Sequence, residues 1–105
     1  MARLTKSQLL SPKTKEVTIA DWGGEIVIRA LSGRERQELH AFMLSDEGKA
    51  SPLTGQAMAV WYAAIEPTFE SEEQVLDLSG AGIGEAFRSI MEHSGLVDPD
   101  EAKGN

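Results

Sequence analysis

The chain contains no cysteine among its 105 residues. This absence excludes a disulfide framework, a zinc–thiolate site and a thiol nucleophile, and it is typical of proteins from a reducing compartment. Aromatic residues are also few, with two Trp, one Tyr and three Phe. The two histidines, His40 and His93, are far apart in sequence, so the chain offers little material for an acid–base site.

Long apolar runs are also absent. The longest, residues 57–65 (AMAVWYAAI), has nine residues, whereas a helix that crosses a membrane needs about 20. The N-terminal segment is basic but lacks the apolar core of a secretion signal. We therefore expect neither a membrane span nor a signal peptide. With 41% hydrophobic and 26% charged residues, the composition is that of a folded globular domain.

Positive charge is scarce outside the N-terminal third. The net charge is −7, and residues 37–105 contain three Lys/Arg against thirteen Asp/Glu, whereas residues 1–36 contain seven against four. An acidic body repels phosphate backbones, so we expect no nucleic-acid partner. The basic N-terminal charges are either simply solvated or contact an acidic surface, such as another copy of the chain.

The distribution of charged and apolar residues divides the chain into three predicted segments. Residues 1–14 are predicted to be a flexible basic arm, in which Ser11-Pro12 breaks any helix. Residues 15–96 are predicted to form a single α+β domain, and residues 97–105 an acidic flexible tail.

A β-hairpin is predicted over residues 15–31. Apolar and polar residues alternate in KEVTIA (15–20) and EIVIRAL (25–31), and the DWGG between them supplies turn glycines. Such a hairpin is marginal alone, so it must pack on helices or gain strands from another copy through its unpaired outer edges. Trp22 at the tip is either a partner contact or folds back over its own hairpin.

Helices are predicted to follow, at about residues 33–45, 53–65, 72–77 and 83–94. The first is predicted to have an apolar stripe of Leu39, Phe42 and Met43, with Arg34, Arg36 and Glu38 outside it. Capping-box spacings begin the first and third, at Ser32-x-x-Glu35 and Ser71-x-x-Gln74. We expect a polar loop over residues 46–52, a connector over 66–70 and a glycine turn over 79–84. Gly95 is placed to end the last helix in a left-handed conformation, with Leu96 folding back. The predicted fold is α+β and mainly α, an N-terminal β-hairpin followed by a small bundle of three to four helices.

The run at 57–65 is predicted to form the central helix of the fold. Four of its residues fall at i, i+3, i+4 and i+7, and its alanines favour helix over the competing strand. Apolar surface is also expected on the hairpin edges and on the stripe at residues 83–91. Together with that of the central helix, it is either fully buried in one core or partly left as a groove that binds a hydrophobic segment of another chain.

No catalytic, cofactor-binding or metal-binding residues are predicted. The histidines are expected at the surface, with His93 at a helix C-terminus. Gly80, Gly82 and Gly84 lack the spacing of a dinucleotide loop, and the acidic pair at 98 and 100 lacks the remaining ligands of a calcium loop. We therefore do not expect an enzyme.

The order of elements resembles that of a known family. A hairpin ends in VIRALSGRERQEL (27–39), an alanine-rich helix contains VWYAAI (60–65), a connector FESEEQVL (69–76) follows, and the last helix closes in HSGL (93–96). This order is similar to that of the tail assembly chaperones of long-tailed bacteriophages and prophages, and the resemblance covers about residues 15–96.

The resemblance implies a mostly helical domain that binds the tape measure protein and helps the tail tube protein polymerise around it. It further implies a place in the cytoplasm of the bacterial host rather than in the mature virion, possible homo-oligomers, and a possible longer product of ribosomal frameshifting.

Two other function classes stay open. One is a minor structural tail or connector protein of the virion, and the other is a small enzyme or nucleotide-binding regulator, for which the sequence offers no good pair of titratable groups. From bulk and aromatic character, we expect partner contacts at five residues. These are Trp22, Phe42, Trp61, Tyr62 and Phe87.

Overall fold

A computed structural model describes residues 3–96. Its elements in chain order are α1 (Lys6–Leu10), β1 (Thr14–Ile19), a 3₁₀ turn (Ala20–Trp22), β2 (Gly24–Arg29), α2 (Gly33–Leu44), α3 (Asp46–Ala50), α4 (Pro52–Ala63), β3 (Ala64–Glu66), α5 (Glu72–Leu76) and α6 (Gly80–His93). The predicted fold class is confirmed: a mainly helical α+β fold in which an N-terminal hairpin precedes the helices.

The predicted hairpin is confirmed. β1 and β2 pair antiparallel, from Thr14 opposite Arg29 to Ile19 opposite Gly24. The alternation places the side chains of Ile19 and Ile28 in the core, completely buried, as a period of two requires. Gly23 has a φ of 76°, so the chain reverses through a left-handed glycine.

A third strand corrects two predictions. β3 pairs antiparallel with β2, with Val27 opposite Glu66 and Ile28 opposite Ala64. The central helix therefore ends at Ala63, not at Ile65, and the far edge of β2 is covered. Alanine favours helix, so the local pattern predicted that the helix continues to Ile65; pairing of residues 64–66 with β2 overrides that preference. Within residues 3–96, only the outer edge of β1 and that of the short β3 lack a strand partner.

The helix α4 lies at the centre, as predicted. Ala57, Ala59, Val60 and Ala63 are completely buried in it, and it packs against α2, α3, α5 and α6. Alanines let neighbouring helix backbones approach closely. The apolar stripe of α6 (Ile83, Ala86, Ile90 and Met91) closes the core from the other side.

The polar loop predicted at 46–52 is wrong over its first part, because residues 46–50 form α3. Ser45 ends α2 and also caps α3, accepting from the amide of Gly48 at 3.0 Å. Acidic residues at 46 and 47 and a lysine at 49 match the helix dipole at each end. Gly48 is buried against α2, where a Cβ atom would lie 1.9 Å from the Phe42 carbonyl oxygen.

The glycine turn predicted at 79–84 is also wrong, because α6 already begins at Gly80. Ser79 caps the helix by accepting from the Gly82 amide at 3.3 Å. The predicted C-terminus is confirmed: Gly95 has a φ of 73°, and the Leu96 amide donates to the Met91 carbonyl at 2.8 Å. This is the Schellman arrangement, which turns Leu96 back onto the helix.

The two predicted capping boxes differ in outcome. At Ser32 the box is complete, since the hydroxyl accepts from the Glu35 amide at 3.2 Å and Glu35 accepts from the Ser32 amide at 2.9 Å. At Ser71 only the hydroxyl half forms. The Gln74 side chain accepts instead from the amide of Glu70, at 2.7 Å.

Part of the predicted arm is helical. α1 has its own capping box, formed by Thr5 and Gln8, and ends just before Ser11-Pro12. None of the residues of α1 is buried. Three leucines of the arm are exposed, Leu4 before the helix by 67%, and Leu9 and Leu10 within it by 66% and 74%. The tail predicted at 97–105 lies outside the described residues.

Candidate binding groove

The five predicted contact residues occupy different surroundings. Trp22, Trp61, Tyr62 and Phe87 are half-buried and pack against the core, and Phe42 is half-buried at the end of α2. Trp22 is predicted either to contact a partner or to fold back over its own hairpin; the structure places its ring against α6. Its indole covers Gly82 in the first turn of α6, so that a Cβ atom there would lie 2.0 Å from Trp22 Nε1.

Trp61 and Tyr62 form the one close aromatic pair within residues 3–96. Their ring centroids are 5.2 Å apart and the planes are inclined by 26°. The Tyr62 hydroxyl donates to Glu38 Oε2 at 3.2 Å. Burial raises the pKa of the Tyr62 phenol, and the nearby Glu38 carboxylate raises it further. The phenol therefore stays protonated at neutral pH, and it holds α4 to α2 rather than acting as a base.

Phe87 and Phe42 contribute to separate surfaces. Phe87 lines a broad depression on α6, beside Gln56, Arg88 and Glu92. Phe42 lies over the α3–α4 region, where a Cβ atom on Gly55 would lie 3.7 Å from its ring. The structure thus does not gather the predicted residues into one site.

An apolar groove lies elsewhere, between α2 and the C-terminal end of α6. Its volume is about 530 Å³. Apolar side chains of Leu39, Met43, Met91 and Leu96 line it, and Arg36, Gln37 and His40 border it on the α2 side. It is more apolar than the depression beside Phe87, so it is better suited to hold a hydrophobic side chain from another molecule.

Residue spacing on α2 and the turn after α6 form the two walls of this groove. Leu39 and Met43 are four residues apart, so they share one face of α2. Leu39 is only 4% exposed and Met91 8%, and these two form the floor. Met43 and Leu96 are half-buried, and Leu96 reaches the groove because the Schellman turn directs the chain back toward Met91.

The rim of the groove is positively charged or neutral. Arg36 and His40 are also four residues apart and both are exposed. In the part of the chain that the structure describes, the one ion pair joins Arg29 to Glu35, so Arg36 has no carboxylate partner there. A basic rim is notable on a chain whose net charge is −7.

The Arg29–Glu35 pair fixes the beginning of α2, and with it the start of the groove wall. Two hydrogen bonds of 2.7 and 2.6 Å join the guanidinium to both carboxylate oxygens. The Arg29 guanidinium lowers the pKa of Glu35, and the bond from the Ser32 amide lowers it further. Bidentate pairing is among the stronger charged interactions, and here it joins the start of α2 to the end of β2.

Sequence reasoning identified parts of the groove but not the site. It placed Leu39 and Met43 on the apolar stripe of the first helix and Leu96 on a returning turn. It did not bring α2 beside the end of α6, and it treated Arg36 as an ordinary solvated charge. The signal that was available is the matched i, i+4 spacing of an apolar pair and a basic pair on one helix.

His93 Nε2 lies 3.0 Å from the Lys13 carbonyl oxygen, so it tethers the end of α6 to the chain before β1. Residues 3–96 contain no group of three or more His, Asp or Glu side chains placed to hold a metal ion. No helix in this range combines the length and apolarity required to cross a membrane.

Comparison of the chain with models of protein families, with characterised proteins and with solved structures returned no match.

Proposed function

We propose that this domain is a tail assembly chaperone of a long-tailed phage or prophage, and that its groove holds a hydrophobic segment of the tape measure protein. The observation that carries the proposal is the groove itself, an apolar surface of Leu39, Met43, Met91 and Leu96 left open in a small fold. The order of sequence elements that resembles this chaperone family points the same way.

The distribution of polar groups supports binding rather than catalysis. The bidentate pair Arg29–Glu35 and the Tyr62–Glu38 hydrogen bond each join two elements of the fold, and neither opens into the groove. A site that binds a hydrophobic segment needs apolar area and a polar rim, and the groove provides both. We therefore propose a non-enzymatic role.

The acidic surface suits such a role. A net charge of −7 keeps like molecules apart while each carries a hydrophobic client. In this proposal the protein acts in the host cytoplasm, delivers the tape measure protein to the polymerising tail tube protein, and is absent from the finished particle.

The test is co-purification. The full chain carries an affinity tag and is expressed with the tape measure protein, whose gene in the family that the chain resembles lies directly downstream. We expect the two to elute together at a fixed ratio, and the untagged tail tube protein to join only when the tape measure protein is present. Elution of the tagged chain alone would contradict the proposal.

One observation bears on the alternative, a minor structural or connector protein. The outer edge of β1 has no strand partner within residues 3–96, and such an edge can pair with a neighbour in a particle. Lys15 and Glu16 place charges on this strand, which opposes edge pairing, so we prefer the chaperone. Mass spectrometry of purified particles separates the two, because only a structural protein stays in them.

A further inference from the structure

We propose that the groove between α2 and α6 selects an amphipathic helix whose apolar stripe is bordered by carboxylates. This inference rests on the proposed function, since it names the chemistry of the segment that the chaperone holds. The shape of the groove and the charges on its rim support it.

The shape fits a helix face. A volume of about 530 Å³ lies within the roughly 300–1,000 Å³ typical of ligand sites. The α2 wall runs from Gly33 to Met43, a length of about 15 Å at 1.5 Å per residue. This length matches about three turns of a bound helix, whose i, i+3 and i+7 side chains would enter the groove.

The lining of the groove can adapt to different apolar side chains. Two of the four methionines in the chain line it, Met91 in the floor and Met43 in the α2 wall. Methionine is flexible and polarisable, and it is common at surfaces that accept varied hydrophobic segments. We therefore expect the groove to select a bound helix by the length of its apolar stripe rather than by one particular sequence.

The rim sets the charge of the occupant. Arg36 and His40 border the groove one helical turn apart, so carboxylates spaced four residues apart on a bound helix would face them. A lysine-bordered helix would face like charge at this rim. Each exposed pair contributes little, so we expect about a tenfold preference for the acidic helix from the pairs combined.

The charge of the rim also disfavours the chain's own arm as the occupant. The exposed leucines of α1 could enter a groove on a second copy, but Arg3 and Lys6 would accompany them. These charges would lie beside Arg36. A second copy is therefore an outcome that the experiment must be able to detect.

The experiment uses methionine methyl groups as reporters. The full chain, labelled with ¹³C at the methionine methyls, is titrated with two synthetic helical peptides that share one leucine stripe. Glutamates border the stripe in one peptide and lysines in the other. We expect the Met43 and Met91 signals to shift, the signal of Met58, on α4, to stay in place, and the glutamate peptide to bind about tenfold more tightly.

A charge reversal on the rim tests the cause of the preference. With Arg36→Glu, the glutamate peptide should lose most of its advantage in affinity over the lysine peptide. Arg34 is an exposed arginine of the same helix that lies outside the groove, so Arg34→Glu should leave this advantage unchanged. Equal affinity of the two peptides for the unmodified chain, or equal effects of the two variants, would overturn the inference. Shifts of Met43 and Met91 on concentrating the protein without peptide would overturn it too, since a second copy would then fill the groove.

The two proposals can fail separately. The peptides are designed, so their binding does not depend on the identity of the tape measure protein. Co-purification without peptide selectivity would overturn the charge rule and leave the chaperone role. Peptide selectivity without co-purification would overturn the chaperone role.

Discussion

The indole ring of Trp22 lies directly on the backbone of Gly82. A Cβ atom built on Gly82 would be 2.0 Å from Trp22 Nε1 and 2.4 Å from Cδ1, so only glycine leaves room for the ring. The contact joins the tip of the hairpin to the first turn of α6. Two nearby bonds support it, the Ser79 hydroxyl donating to the Asp21 carboxylate and Glu85 accepting from the Ala20 amide at 3.1 Å.

Gly82→Ala should therefore destabilise the fold. The added methyl group must displace a rigid ring, and overpacking of this kind costs about 1–3 kcal/mol in the free energy of unfolding. Chemical denaturation followed by circular dichroism measures the change.

Gly84 provides the matched control, two residues along the same helix. Its Cβ atom would meet Gln56 Oε1 at 3.6 Å, an ordinary contact. Gly84→Ala should raise stability by up to about 1 kcal/mol, because alanine favours the helical state. Equal effects of the two substitutions would show that Trp22 does not cover Gly82.

The Arg29–Glu35 pair predicts a pH dependence. The pKa of Glu35 is lowered in the fold, so the stabilisation is present above the ordinary carboxyl value near 4.5 and disappears as the pH falls through the lowered value. Glu35→Gln should lower the free energy of unfolding by about 1 kcal/mol at pH 7, a modest loss because the pair is partly exposed to solvent. As the pH falls from 5 to about 3, the variant should lose less stability than the unmodified chain, because it has no carboxylate at this position to protonate.

Glutamine retains an acceptor for the Ser32 amide, so the comparison isolates the ion pair from the cap. Denaturant midpoints measured at each pH give the two curves. Parallel curves over the whole range would mean that Glu35 does not titrate with folding.

The leucines of α1 should be irrelevant to stability. Leu9 and Leu10 are 66% and 74% exposed, so Leu9→Ser with Leu10→Ser should change the free energy of unfolding by less than about 0.5 kcal/mol. Leu39→Ala, a buried leucine of α2, should cost about 2–5 kcal/mol. If the double variant unfolded as readily as the core variant, the arm would have to be packed on the domain.

Features set by close neighbours in the sequence could be predicted. The Ser32–Glu35 cap needs only a spacing of three, and the turn at Gly95 needs only a glycine after an amphipathic stripe. The alternation of Val17, Ile19, Ile26 and Ile28 likewise fixed the inward face of the hairpin. In each case the partner lies nearby in the chain, and local chemistry decides the conformation.

Features set by distant partners could not. Residues 64–66 form a strand only because β2 presents a free edge, and the start of α6 at Gly80 leaves Gly82 beneath Trp22. The helix at 46–50 is different, since Ser45 with Asp46 and Lys49 is a readable capping signal that the expectation of a polar loop overlooked.

The groove is one of the features that depend on residues distant in the sequence. Its α2 wall was evident as a stripe containing Leu39 and Met43, whereas its existence depends on how α6 approaches α2. The predicted aromatic contacts were chosen for bulk, and the fold uses most of them in packing against its core. In these residues bulk therefore indicates packing, and their contact with a partner stays a prediction.

The most direct test of a binding role for the groove compares two equivalent substitutions during co-expression with the tape measure protein. Met43→Gln adds a polar group inside the groove, and Met58→Gln adds the same group on α4, away from it; both methionines pack against the core. The measured quantity is the fraction of tape measure protein that stays in solution after centrifugation. We predict a several-fold loss with Met43→Gln and none with Met58→Gln, whereas equal solubility with both variants would contradict the account.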